Sequence, residues 1–88
     1  MEIIKRRNKM LCKTSHGVAE LEYRIEGSVM SIFYTFVPKE DRGSGIAEKL
    51  AYYAFEFAIS KELKVRFDCP YITHFLEVHK DMVKYSTQ

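Results

Sequence analysis

Eighty-eight residues provide for one hydrophobic core and no second, so residues 1–88 read as a single domain. Hydrophobic residues make up 47% and aromatics 14%, which argues against disorder. The net charge is +2, too near neutral to make nucleic acid the main partner, and Cys12 and Cys69 form no CxxC pair, so neither a metal site nor a disulfide framework is expected.

The first ten residues carry Lys5, Arg6, Arg7 and Lys9 with no apolar run behind them. They read as a solvated basic arm, with some reach toward a phosphorylated ligand, and not as a secretory signal. No window approaches the length of a membrane span, so no membrane partner is expected. A soluble, cytoplasmic protein with reduced thiols is the expectation.

Lys9 to Thr14 forms a short strand that stops at the turn residues Ser15-His16-Gly17. From Val18 to Ile25 the sequence alternates strictly: Ala19, Leu21, Tyr23 and Ile25 against Glu20, Glu22 and Arg24. Period two with one charged face predicts a strand wetted on one side. After Glu26-Gly27-Ser28, the run Val29 to Val37 is apolar or aromatic on both faces, with Met30, Ile32, Tyr34 and Phe36 on one and Val29, Phe33 and Val37 on the other. That pattern predicts a strand in the middle of a sheet, ended by Pro38.

The period then changes. Ala47, Leu50, Ala51, Ala54, Phe57 and Ala58 fall at helical spacing between Ile46 and Ser60. Glu48, Lys49 and Glu56 lie away from that stripe; Tyr52 and Phe55 also fall outside it and predict cover on a second side. Leu63 to Phe67 follows as a short strand with Val65 and Phe67 on one face. Pro70 suits the first position of a second helix, with Tyr71, Ile72, Phe75, Leu76, His79 and Met82 as its apolar stripe. The order is three strands, helix, strand, helix. It predicts an α+β fold: a mixed, mostly antiparallel sheet, made of a three-stranded meander plus a parallel fourth strand, with two helices.

The chemistry centres on Pro38 to Ala47, where a central strand ends, a glycine-containing loop turns and a helix begins. The first amides of a helix have no intrahelical acceptor and sit at the positive end of its dipole, which suits a phosphate. Gly43 and Gly45 permit positive φ and close approach of a ligand, and Arg42 adds a charged donor. Glu40 and Asp41, carboxylates beside an anion site, read as solvated. By itself Gly-Ser-Gly before a helix also suits a plain tight turn. It is no Walker loop, since no Gly-Lys-Ser/Thr closes it, and the dinucleotide fingerprint GxGxxG is incomplete.

Arg42-Gly43-Ser44-Gly45-Ile46-Ala47 matches the Arg/Gln-x-x-Gly-x-Gly/Ala pattern of the GNAT N-acetyltransferases, and Thr35-Phe36-Val37-Pro38 with Cys69-Pro70-Tyr71 resembles their short YjdJ-like branch. Order and spacing agree from Leu21 to His79; the chain departs at Tyr34, often His in relatives, and at His79-Lys80, often His-Pro. The resemblance implies a minimal GNAT fold with acetyl-CoA as cofactor. Arg42, Gly43, Ser44, Gly45, Ile46 and Ala47 would bind its pyrophosphate. The pantetheine arm would lie beside Phe36 and Val37, and Cys69 near the reactive end.

Cys69 precedes Pro70 at a helix N-terminus, where a thiolate is stabilised. It is a candidate to line the site or to accept the acetyl group, against the simpler reading of a small core residue. Tyr71 is a candidate to protonate the leaving CoA thiolate, against that of a core aromatic. His74 and His79 are candidate bases, though five residues apart they point in different directions on one helix. Cys12 reads as packing. The function expected is transfer of acetyl from CoA to an unidentified amine by a monomer or homodimer. The alternative is a non-catalytic acyl-CoA-binding module; a small nucleic-acid binder is weaker.

Overall fold

Alternating sequence becomes sheet in the first half of the chain, and helical periodicity becomes two helices in the second. The computed structural model describes residues 2–67 and 70–87, without the side chains of Pro70 and Tyr71. The strands are β1 (Ile3–Lys5), β2 (Lys9–Lys13), β3 (Val18–Glu26), β4 (Val29–Phe36) and β5 (Lys64–Phe67). Helix α1 spans Ile46–Ser60 between β4 and β5, and α2 spans Pro70–Val78. Short 3-10 turns occupy Lys39–Asp41 and Lys80–Tyr85. The sheet order is β1-β2-β3-β4-β5, antiparallel except for the parallel pair β4–β5. This is the expected α+β architecture with one strand more.

The extra strand corrects the reading of the N-terminus as an arm. Ile3, Ile4 and Lys5 pair with Cys12, Leu11 and Met10, and Arg6 N–H closes the hairpin on the Lys9 carbonyl at 2.7 Å. The Tyr23 hydroxyl donates to the Arg6 carbonyl at 2.9 Å, and the Lys5 ammonium lies 4.6 Å from the centre of the Phe57 ring. Phe57 lies eleven residues beyond Ile46, about 16 Å along the helix axis. Lys5 therefore packs toward the end of α1 opposite the glycine turn.

The core is the inner sheet face under α1. Met10, Cys12, Ala19, Leu21, Tyr23, Met30 and Ile32 bury against Leu50, Ala51, Ala54 and Ala58. Each fully buried Leu or Ile contributes about 1.5–3 kcal/mol. Phe55 and Tyr52, off the main stripe, meet α2: the rings of Phe55 and Tyr52 stand 5.5 and 5.8 Å from that of Phe75. Helix α1 ends where Glu62 takes the left-handed conformation (φ 57°) and Leu63 N–H reaches back to the Ala58 carbonyl at 2.8 Å. At the edge of β5, Thr87 N–H bonds to the Val65 carbonyl at 2.9 Å, so the C-terminal tail covers that edge.

Two further expectations are corrected. The register jumps from Tyr23↔Ile32 to Glu22↔Tyr34, leaving Phe33 as a bulge in β4. Before the bulge Met30 and Ile32 face the core; after it Thr35 lies opposite Leu21, while Tyr34 and Phe36 lie opposite Glu22 and Glu20 and are 43% and 38% exposed. Phe33 is exposed as well, so β4 is central in pairing but open on its outer face. Helix α2 also stops short of the predicted stripe: it ends at Val78, and the chain continues to Met82 as a 3-10 segment.

Candidate functional site

The bulge sets up the site. Beyond it, Thr35 and Val37 come to the α1 side of the sheet. Among the described residues, pairing of β4 with β5 runs as far as Ile32↔Phe67, and β4 itself continues to Phe36. A cavity of about 470 Å³ opens there. Thr35 and Phe36 line it from β4 and Val37 from just beyond it, Asp41 to Gly43 and Gly45 to Glu48 from the turn and α1, and His74, Phe75 and Val78 from α2.

The turn is built for an uncapped helix start. Gly43 and Gly45 have φ of 85° and 86°, and Gly45, the residue before α1, provides no side-chain cap. Such φ values cost a residue with a Cβ about 1–2 kcal/mol, which is why the sequence carries glycine here. The first intrahelical bond runs from Lys49 N–H to the Gly45 carbonyl at 3.1 Å. The amides of Ile46, Ala47 and Glu48 therefore have no acceptor within the helix. A Cβ built on Gly43 or Gly45 would meet nothing within 4 Å, so the space beside both is open. Arg42 Nε donates to the Val37 carbonyl at 3.0 Å, folding the guanidinium over the turn, and the Ser44 hydroxyl donates to the Asp41 carbonyl.

Asp41 corrects its reading as a solvated carboxylate: it is only 8% exposed. Thr14 Oγ1 and His16 N–H donate to its Oδ2 at 2.7 and 3.2 Å, and His16 Nδ1 lies 3.0 Å from Oδ1. These bonds, from the His16 ring first and Thr14 next, hold its carboxyl below the ordinary value of 3.8 despite desolvation. Past the end of α2, His79 Nε2 lies 2.6 Å from Glu48 Oε2, and the His79 ring packs edge-on against Tyr52. Glu48, in the first turn of α1, also complements the helix dipole.

Of the residues expected to bind cofactor, Phe36, Val37, Arg42, Gly43, Gly45, Ile46 and Ala47 all line this one cavity; Ser44 lies in the turn but not on the lining. Cys69 lies outside the described residues, and Tyr71 lies on α2 with its side chain outside them. His74 lines the cavity while His79, past the end of α2, is engaged by Glu48. Cys12 is buried in the core as packing. Sequence reasoning missed Glu48, whose acidic character in a first helical turn was its one signal, and Asp41, whose partners lie far back in the chain.

The bulged central strand, the glycine turn and a helix start without a side-chain cap belong to an α+β fold with a mixed five-stranded sheet and two main helices. Comparison with known proteins shows its family. The profile of the GCN5-related N-acetyl-transferase family matches residues 9–85, and the chain belongs to that family. It is similar to Protein NATD1 of Gallus gallus and of Mus musculus, 35% identical over 63 residues that cover 70% of this chain and 57% of those proteins. The chain thus spans little more than half the length of these relatives. The solution structure of a GCN5-like protein of N-acetyltransferase type from Staphylococcus aureus superposes with a TM-score of 0.78. The two share 27% identity, over 97% of this chain and 86% of that one.

Proposed function

We propose that the chain binds acetyl-CoA in the cavity between β4, the glycine turn and α2, and transfers acetyl to an amine. The observation that carries this is the uncapped start of α1, with two positive-φ glycines and open space beside each, facing that cavity. The fit is chemical. Amides from Ile46 to Glu48 and the terminal nitrogens of Arg42 are donors for linked phosphates, and Phe36, Val37 and Phe75 supply apolar walls for the pantetheine arm. Bound there, the coenzyme would supply a thioester carbon open to attack by a neutral amine.

The chain's share of the work is to hold the two reactants together, which lowers the barrier without a dedicated base. Attack forms the C–N bond, the C–S bond breaks, and the proton lost by the amine ends on the CoA thiol. Tyr71 is assigned the delivery of that proton and Cys69 the lining of the thioester site. Either the acceptor is an exposed amine on a protein or a polyamine, or a homodimer completes the acceptor pocket; the protein acts in the cytoplasm.

Calorimetry with CoA and acetyl-CoA tests the binding step, and release of free thiol with a panel of amines tests transfer. Tight binding with no amine-dependent thiol would leave an acyl-CoA-binding module instead, and no binding would end both readings. Mass spectrometry after exposure to acetyl-CoA tests Cys69: an unmodified thiol with intact turnover excludes an acetyl-enzyme.

A further inference from the structure

The glycine turn is held by a part of the chain that its own sequence neighbours do not supply. Gly43 and Gly45 allow this loop its shape, but glycine also has the most conformational freedom to lose on ordering. A turn that must present several amides to one ligand binds more tightly when something else fixes it beforehand. The turn between β2 and β3 does so. Thr14 N–H closes that turn on the Gly17 carbonyl at 2.8 Å, and a Cβ at Gly17 would stand 3.3 Å from Pro38 Cγ, so the two loops are in close contact. Between them lies Asp41, the one charged side chain among the described residues in the buried class. Its two carboxylate oxygens take the Thr14 hydroxyl, the His16 amide and the His16 ring nitrogen, all from the β2–β3 turn. Its main-chain carbonyl takes the Ser44 hydroxyl from the glycine turn itself.

We propose that Asp41 is a positioning residue for coenzyme binding, a staple from Thr14 and His16 that pre-forms the Arg42–Ala47 turn. The inference rests on the coenzyme reading above. It also accounts for a carboxylate directly before an anion site: its charge is spent on donors of the neighbouring hairpin, and the cost of repulsion is offset by a fixed loop.

NMR titration of the full chain with acetyl-CoA and with S-acetylpantetheine, which lacks the pyrophosphate, tests it. Asp41→Ala should weaken acetyl-CoA binding about tenfold or more and leave S-acetylpantetheine within twofold, because only the phosphates use the turn. Thr14→Val, a milder change on the other loop, should weaken acetyl-CoA binding severalfold in the same selective way. Combined with Asp41→Ala, it should add nothing further. Folded variants that bind acetyl-CoA as the unmodified chain does, or that lose both ligands equally, would overturn the staple. Failure of the unmodified chain to bind acetyl-CoA would overturn the coenzyme reading itself and the staple with it.

Discussion

Single residues decide whether the turn can open onto a ligand. Gly45 has φ 86° and a Cβ placed there would touch no protein atom, so Gly45→Ala meets backbone strain of about 1–2 kcal/mol and no clash within the chain. The same Cβ enters the space assigned to the phosphates. The variant should unfold a little earlier in urea and bind acetyl-CoA at least tenfold more weakly by calorimetry; unchanged affinity would remove this turn from the binding site. Asp41 makes a different prediction. Its folded-state pKa is lowered, so its contribution to stability is complete above the unfolded value near 3.8 and is lost as pH falls through the lower folded value. The gap in urea midpoint between the native chain and Asp41→Asn should therefore narrow from about pH 6 to about pH 3. A gap constant with pH would show that the carboxylate's charge is not what the hairpin holds. The glycines were legible in sequence because positive φ demands them. Asp41 was not, because its donors lie 25 and 27 residues away and no local pattern records them.

Among elements, helix α1 was legible to its ends. Apolar spacing marks its face, and the glycine turn and Lys61-Glu62 mark its limits. Strand β4 was legible as a strand but not in its facing. A bulge inserts one residue without any composition of its own, and from Phe33 onward it moves every side chain to the other side of the sheet. Alternation therefore put Tyr34 and Phe36 in the core and missed that Thr35 turns toward the cavity. The joint between α1 and α2 is the element contact on which the cavity depends. Phe75 is buried, its ring stands 5.5 Å from that of Phe55 and 4.5 Å from that of His79, and it also lines the cavity. Phe75→Ala should cost about 3–5 kcal/mol and weaken the coenzyme with it. The Glu48–His79 pair spans the same joint, but with Glu48 nearly half exposed it is worth about 1 kcal/mol or less, so Glu48→Gln should move the urea midpoint far less. Comparable losses from the two changes would mean that α2 is held by the ion pair and not by ring packing.

At the scale of the whole molecule, a sheet with its main helices on one side has a small stability margin. At about 0.05–0.15 kcal/mol per residue, a chain of 88 residues has on the order of 4–13 kcal/mol in hand. A ligand that binds only the folded state adds about 2.7 kcal/mol at a hundredfold excess over its Kd, a large fraction of that margin. In a chain of this size that corresponds to a rise in Tm on the order of 10 °C or more. CoA should produce such a shift in a thermal melt. Pantetheine at the same excess over its own Kd should match it, because mass action depends on saturation alone. At equal concentrations, however, pantetheine should fall well behind, since it leaves the amides of Ile46–Glu48 and the guanidinium of Arg42 without phosphate. Equal shifts at equal concentration would place the stabilising contacts on the apolar walls, and the start of α1 would then be a turn like any other.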